Sequence, residues 1–454
     1  MWPVHRTAAL RRRVAGVAPV GGGLFLLGVS AYVVLGAAGH ALAPRDYAAV
    51  ASLYLLVAIT SPGVFTALEQ ETNREVSSRR AAGLGTAPVG RAGLLVGAGF
   101  AGLVAVVLLA AAPLLVPRVL AGSWGLLAAA VVAACGAAAV YLLRGLFAGE
   151  RRFGWYAISL GLEGVARIVP CVVLALVGAT DPLAYGWAFA LGTGIAALLC
   201  LPARAPHAPT NGTVDGTCST NGPLVREEGA AEPMTRSRAE SGPPVDVRAM
   251  ARATGLLIVA SGLTYVVANT APLVLTARLP AAPEVAAAYV SLFVLARIPV
   301  FLFGPVQAFL LPTLTAGAER ADLDHLSSRL RAALLAVAAV GVPGAVLTAA
   351  LGPWAARTFF GAPLDLPHAA AGLLGVGTVA MLAAQVLQPA LVALRVHRVA
   401  TIAWVAGTAV FAAVLVAPVD PATAAVAAQV AGPTVVCLVM GAAVAARLRR
   451  LPAP

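Results

Sequence analysis

Twelve stretches of about twenty or more apolar residues, separated by polar turns and one long polar segment, constrain this chain more than any other feature of it. A helix needs about 20 apolar residues to cross a bilayer, and a chain in lipid must satisfy its own backbone hydrogen bonds, so such stretches fold as helices. The predicted spans run 14–39, 46–68, 92–116, 122–148, 154–179, 182–202, 250–275, 284–312, 331–356, 367–393, 399–417 and 421–446. Only 11% of the 454 residues are charged, against 60% hydrophobic, which excludes an ordinary soluble domain, where about a quarter are charged. The expected class is all-α, a polytopic membrane protein. The apolar run of the first span is too long for a signal peptide, whose core has about 7 to 15 residues, so an uncleaved helix is expected there.

All 31 basic residues are Arg, and with 19 acidic residues they give a formal charge of +12. Without Lys there is neither a Walker A phosphate loop nor a Schiff-base lysine. Arg is sorted between alternate loops: 24 fall on one side, while only Arg45, Arg118, Arg278 and Arg357 fall on the other. Positive residues concentrate in cytoplasmic loops, so both termini are expected in the cytoplasm, and the basic balance reflects orientation and not nucleic acid. The five Cys lie far apart, with no metal or redox spacing.

The expected organisation is an N-terminal segment 1–13, a six-helix bundle 14–202, a disordered cytoplasmic linker 203–247, a second six-helix bundle 248–446 and a cytoplasmic tail 447–454. A shift of 239 residues places Ala48, Ala49, Ser52, Leu53, Leu56 and Ile59 on identical residues at Ala287 through Ile298, and Gly16, Gly23 and Leu24 on Gly255, Gly262 and Leu263. Each half has an even number of helices, so the repeat is parallel and the bundles face each other across a central cavity.

Charged side chains inside a span are costly and face a cavity or a partner. Glu163 and Arg167 fall about 15 to 21 Å into the fifth span, spaced for a helix ion pair, either self-neutralising or open to an anionic head group. Arg297 in the eighth span has no acid within one turn and needs either a counter-ion from another helix or a phosphate, which its planar fork suits. Arg144, near the cytoplasmic end of the fourth span, either contacts substrate or snorkels to the interface. Asn269, Gln385 and Gln388, with Gln307 and Gln429, are candidates for sugar hydroxyls or for helix-to-helix hydrogen bonds. Glu69, Glu71 and Arg74 end the second span as a solvated helix end or a latch between bundles. Gly21–Gly23, Pro62-Gly63, Pro299, Pro305 and Pro312 are candidate hinges. The Gly192-Thr193-Gly194 and Gly375-Val376-Gly377 runs fit a loose dinucleotide pattern but lie inside spans, so they read as packing glycines. The six His are dispersed without catalytic spacing.

Three segments resemble the multidrug/oligosaccharidyl-lipid/polysaccharide (MOP) exporter superfamily, in its polysaccharide or O-antigen flippase-like branch: Leu143–Phe153 continuing to Glu163–Ile168, Ala288–Leu314 around Arg297-Ile298-Pro299, and Glu69–Arg74. The resemblance implies a non-enzymatic, alternating-access transporter that flips an isoprenoid-diphosphate-linked oligosaccharide across a bacterial cytoplasmic membrane. Arg144, Arg167 and Arg297 would then meet the diphosphate. Its implied partners are the bilayer, the lipid-linked oligosaccharide, and a polysaccharide polymerase and glycosyltransferases; no cofactor, metal or nucleic acid is expected. A cation-coupled multidrug exporter of the same superfamily is the alternative, and a membrane glycosyltransferase the second.

Overall fold

The computed structural model describes residues 4–204, 243–300, 323–394 and 396–450, and every regular element among them is helical. The N-terminal half contains α1 (Val4–Ala41), α2 (Pro44–Ala81), α3 (Ala87–Ala110), the short α4 (Ala112–Arg118), α5 (Trp124–Gly149), α6 (Phe153–Leu176) and α7 (Pro182–Cys200). The C-terminal half contains α8 (Val247–Arg278), α9 (Pro283–Leu295), α10 (Leu323–Phe360), α11 (His368–Ala393), α12 (His397–Leu415) and α13 (Pro421–Arg450). Among the described residues eleven helices are long and apolar enough to cross a membrane, and α8 makes a twelfth when its two arms count as one span. The protein is a multi-pass membrane protein.

The element ends follow local chemistry. Pro stands at the first turn of α2, α7 and α9, where its missing N–H is needed least. Ser123, Asp181 and Asp246 cap α5, α7 and α8 through bonds to Leu126, Leu183 and Arg248 backbone N–H groups at 3.2, 3.0 and 2.9 Å. The third predicted span is divided: α3 stops at Ala110 and α4 resumes as a separate turn, because Pro113 has no N–H for the Leu109 carbonyl and its ring crowds that group in a continuous helix. The second helix runs past the predicted end at residue 68 to Ala81, since the polar tail Glu69–Arg80 continues it beyond the apolar core. Helix α9 ends at Leu295 and turns at Ala296–Arg297 just ahead of Pro299. The rest of the predicted eighth span, including Gln307, Pro305 and Pro312, lies outside the described residues, as does nearly all of the linker.

Lipid supplies no hydrophobic drive between helices, so small residues that permit close approach govern packing. Gly136 of α5 faces the backbone of α7 at Gly194, and Gly145 and Gly149 bring α5 against Glu69, Thr72 and Val76 of α2. Gly375 of α11 faces Ala345 of α10. The two glycine runs that mimic a dinucleotide pattern are therefore packing surfaces, as their position inside spans predicts.

The two halves meet along α2 and α3 against α8, with Gly63 on Tyr265 and Gly255 on Phe100. They meet again where Gly36 and Gly39 of α1 press on the Phe359 and Phe360 carbonyls of α10. That second contact lies at the Arg-poor end. There the Tyr47 hydroxyl and Ser291 Oγ are 3.0 Å apart, and the Tyr32 hydroxyl donates to the Val294 carbonyl at 3.3 Å. Helix α8 bends by 47° between Val259 and Gly262. Gly262 is the residue that the 239-residue shift superposes on Gly23, within the predicted hinge of the first span.

Candidate functional site

Between the halves lies a cavity of about 1040 Å³. Five pairs of lining residues are related by the 239-residue shift: Phe25 with Thr264, Tyr54 with Phe293, Leu55 with Val294, Ala58 with Arg297 and Ser61 with Val300. Helices α2 and α9 thus present the same face to the cavity, as a parallel repeat requires. The cavity reaches Gly21, Gln70 and Pro389 near the Arg-rich end, while the opposite end is closed by the α1–α10 seam. It faces the side on which the chain concentrates its Arg.

Glu163 and Arg167 both line the cavity. They form the predicted helix ion pair, Arg167 Nη2 to Glu163 Oε1 at 2.6 Å. The other carboxylate oxygen is also taken, because Arg144 Nη2 reaches Glu163 Oε2 at 2.6 Å. Arg144 neither snorkels nor lines the cavity: it is 1% exposed, donates through Nε to Ser159 Oγ at 3.1 Å, and lies 5.3 Å from the Tyr141 ring centre. Close packing of α5 on α6 draws Arg144 behind Glu163, so its link to the cavity runs through that carboxylate. One carboxylate between two guanidinium groups leaves the trio with a formal charge of +1.

The cavity side of Arg167 is built by α7. Its Nη2 reaches Thr193 Oγ1 at 3.3 Å, and its guanidinium carbon stands 4.5 Å from the Phe189 ring centre, a cation–π distance. Gly192 leaves the room for its stem, for a Cβ there would come within 2.5 Å of Arg167 Cγ. Arg167 Nε is buried without a partner among the described residues.

Arg297 lines the same cavity from the other half. It is half-buried, donates to Asn269 Oδ1 at 3.3 Å and to the Ala268 carbonyl, and stacks 4.3 Å over Phe293. No carboxylate pairs with it among the described residues. Of the two explanations open in the sequence, a counter-ion from another helix is not found there. Asn269, which also lines the cavity, accepts from Arg297 and donates to the Tyr265 carbonyl at 2.9 Å, so it orients Arg297 while its amide keeps a second N–H.

Gln385, Gln388 and Gln429 line the C-terminal wall. Gln388 Oε1 accepts from Trp404 Nε1 at 3.0 Å. Gln429 is 3% exposed, and its Oε1 has no donor among the described residues, a condition that costs about 1–3 kcal/mol.

Glu69, Glu71 and Arg74, beyond the apolar core of α2, make their bonds within the N-terminal half. Glu71 pairs with Arg74 three residues along the same helix at 2.6 Å, and Glu69 accepts from Tyr156 at 2.7 Å. Residues at that spacing on one helix face satisfy each other locally. The contact that reaches the start of the second half comes from Arg79, which donates to the Pro243 carbonyl. Sequence reasoning also missed Tyr54, Phe189 and Phe293; the pairing of Tyr54 with Phe293 under the repeat shift is the available clue to two of them. Among the described residues no group of three or more His, Cys, Asp or Glu is placed to hold a metal ion.

Solved structures with this architecture are membrane transporters. A multidrug resistance MATE family transporter of the MOP superfamily matches at a TM-score of 0.70 in its inward-facing conformation, over 94% of this chain and 96% of that one, with 14% identity. The chain has the MATE transporter fold. The outward-facing conformation matches at 0.66, with 12% identity over 97% and 96% of the chains. A MOP superfamily transporter from Pyrococcus furiosus, described by the reverse polarity of its binding pocket, matches at 0.64, with 12% identity over 96% and 95%. Two uncharacterized Mycobacterium tuberculosis proteins, Rv1510 of strain H37Rv and MT1558/MT1560 of strain CDC 1551, are each 27% identical over 98% of this chain and 96% of their own length. No family model matches the chain.

Proposed function

We propose that this MATE-fold protein is a non-enzymatic transporter in a bacterial cytoplasmic membrane that moves an isoprenoid-diphosphate-linked oligosaccharide outward by alternating access. The carrying observation is that Arg167 and Arg297, one from each half, line a single cavity, and Arg297 meets only neutral groups among the described residues. A guanidinium stacked on an aromatic ring and bonded to carbonyl oxygens keeps N–H groups for a diphosphate, which it binds in forked geometry. The isoprenoid tail stays in the bilayer while the head group occupies the cavity. Polymerase and glycosyltransferases are the partners such a cargo implies.

Cation-coupled drug export, the reading that the multidrug neighbours suggest, would rest on Glu163, the carboxylate lining the cavity among the described residues. Both of its oxygens are held by Arg, which favours the anionic cargo. In the test, Arg167→Ala and Arg297→Ala are compared with the unchanged protein in vesicles scored for translocation of a lipid-linked oligosaccharide. Each substitution is expected to slow translocation at least tenfold, the scale of a lost charge-assisted hydrogen bond; normal rates in both would remove the assignment. A drug exporter would instead depend on Glu163 and tolerate Arg297→Ala.

A further inference from the structure

The two walls of the cavity differ in chemistry. From the N-terminal half come Glu163 and Arg167 with aromatic and aliphatic neighbours, Ser61 and, towards the Arg-rich end, Gln70. From α11 and α13 come Thr378, Met381, Gln385, Gln388 and Gln429, with no charged residue among the described lining positions of those helices. Three amides on an uncharged wall present both donors and acceptors to a ligand. Two of them are held in a defined state. An indole N–H only donates, so the bond from Trp404 fixes the Gln388 oxygen and leaves its NH2 group as the donor available to the cavity. Gln429 is the reverse: 97% buried, it holds an acceptor that no donor of the described protein meets.

We infer that this amide wall of α11 and α13 is a carbohydrate subsite, in which Gln388 donates to and Gln429 accepts from hydroxyl groups of an uncharged sugar. A charged cargo would leave its charge uncompensated against this wall, whereas a hydroxyl-rich neutral group matches its alternating donors and acceptors. Arg297 borders the wall from the turn that follows α9, so a sugar joined to a diphosphate would place the phosphate at Arg297 and its first rings along α11 and α13. The inference rests on the proposed lipid-linked cargo for that order of groups, but the subsite itself is defined by the amides.

The test uses the full chain in nanodiscs with Trp404 kept as the sole tryptophan, since its bond to Gln388 makes its emission a local reporter. The probes are undecaprenyl diphosphate, the same lipid carrying a neutral trisaccharide, and free maltotriose. The glycosylated lipid is expected to bind more tightly than the bare one and to shift Trp404 emission, which the bare lipid leaves unchanged. Gln388→Met and Gln429→Met, near-isosteric changes, are each expected to reduce the ratio of the two affinities about fivefold, the scale of one neutral hydrogen bond. Gln429→Met removes an acceptor unpartnered among the described residues, so no hydrogen bond to that oxygen within them is lost. Equal affinities for the two lipids in the unchanged protein, or an unchanged ratio in both variants, overturns the subsite and leaves the diphosphate reading standing. Failure of bare undecaprenyl diphosphate to bind, with maltotriose still shifting Trp404, removes the diphosphate reading and supports the subsite.

Discussion

One carboxylate shared by two guanidinium groups explains why three charged side chains persist inside the apolar N-terminal half. Removing one partner from a buried ion pair leaves an uncompensated charge, at about 3–5 kcal/mol, and Glu163 serves two such partners, exposed by 1% and 9%. Glu163→Gln is therefore expected to lower the thermal midpoint of the detergent-purified protein more than Arg297→Gln does, because Arg297 gives up only neutral acceptors. Equal shifts would show that Arg144 and Arg167 find other compensation. The arrangement also bears on transport. If an anionic cargo draws Arg167 away, Glu163 keeps Arg144, so the carboxylate need not protonate to release it.

At the scale of elements, the sequence discloses what depends on local pattern and hides what depends on neighbours. Apolar length places the spans, and the repeat shift by itself identifies α2 and α9 as equivalent. The Glu163–Arg167 pair is legible because both partners share one helix. Arg144 is not, since its partner lies 19 residues away on the next helix, and no spacing rule spans a turn between helices. The same limit hid Phe189 and Thr193, which reach Arg167 from α7, and the bond of Arg79 to Pro243. Helix starts are local, and one carries a pH signature. Asp420 precedes α13 and accepts from the backbone N–H and hydroxyl of Thr423 at 2.8 and 2.9 Å; these bonds hold its carboxyl below the ordinary aspartate range. Since the folded pKa is depressed, its contribution is present above the unfolded value and fades as pH falls through the folded one. Asp420→Ala is expected to lower thermal stability at neutral pH, with the gap to the unchanged protein closing on acidification. A gap independent of pH would exclude the ionised cap.

At the scale of the whole molecule, one end is shut by backbone contacts and the other end of the cavity is lined by side chains. The seam where Gly36 and Gly39 meet Phe359 and Phe360 has no room for a side chain, since a Cβ at Gly39 would overlap the Phe360 carbonyl. The proposed alternating access requires this seam to part while the opposite ends close, and each state is stabilised only by its differential contacts. A wedge in the seam should therefore favour the outward-open state without touching the cavity. In a background with the native cysteines replaced, a cysteine at Phe25, which lines the cavity and is 66% exposed, is expected to react with an impermeant maleimide from the Arg-rich face. A cysteine at Ala38, fully buried, is expected to be protected from the other face. Adding Gly39→Leu should invert that pattern, exposing position 38 and shielding position 25. Were both positions to keep their original reactivity, the seam would not be the outer gate, and motion would have to be sought along α2 and α8 instead.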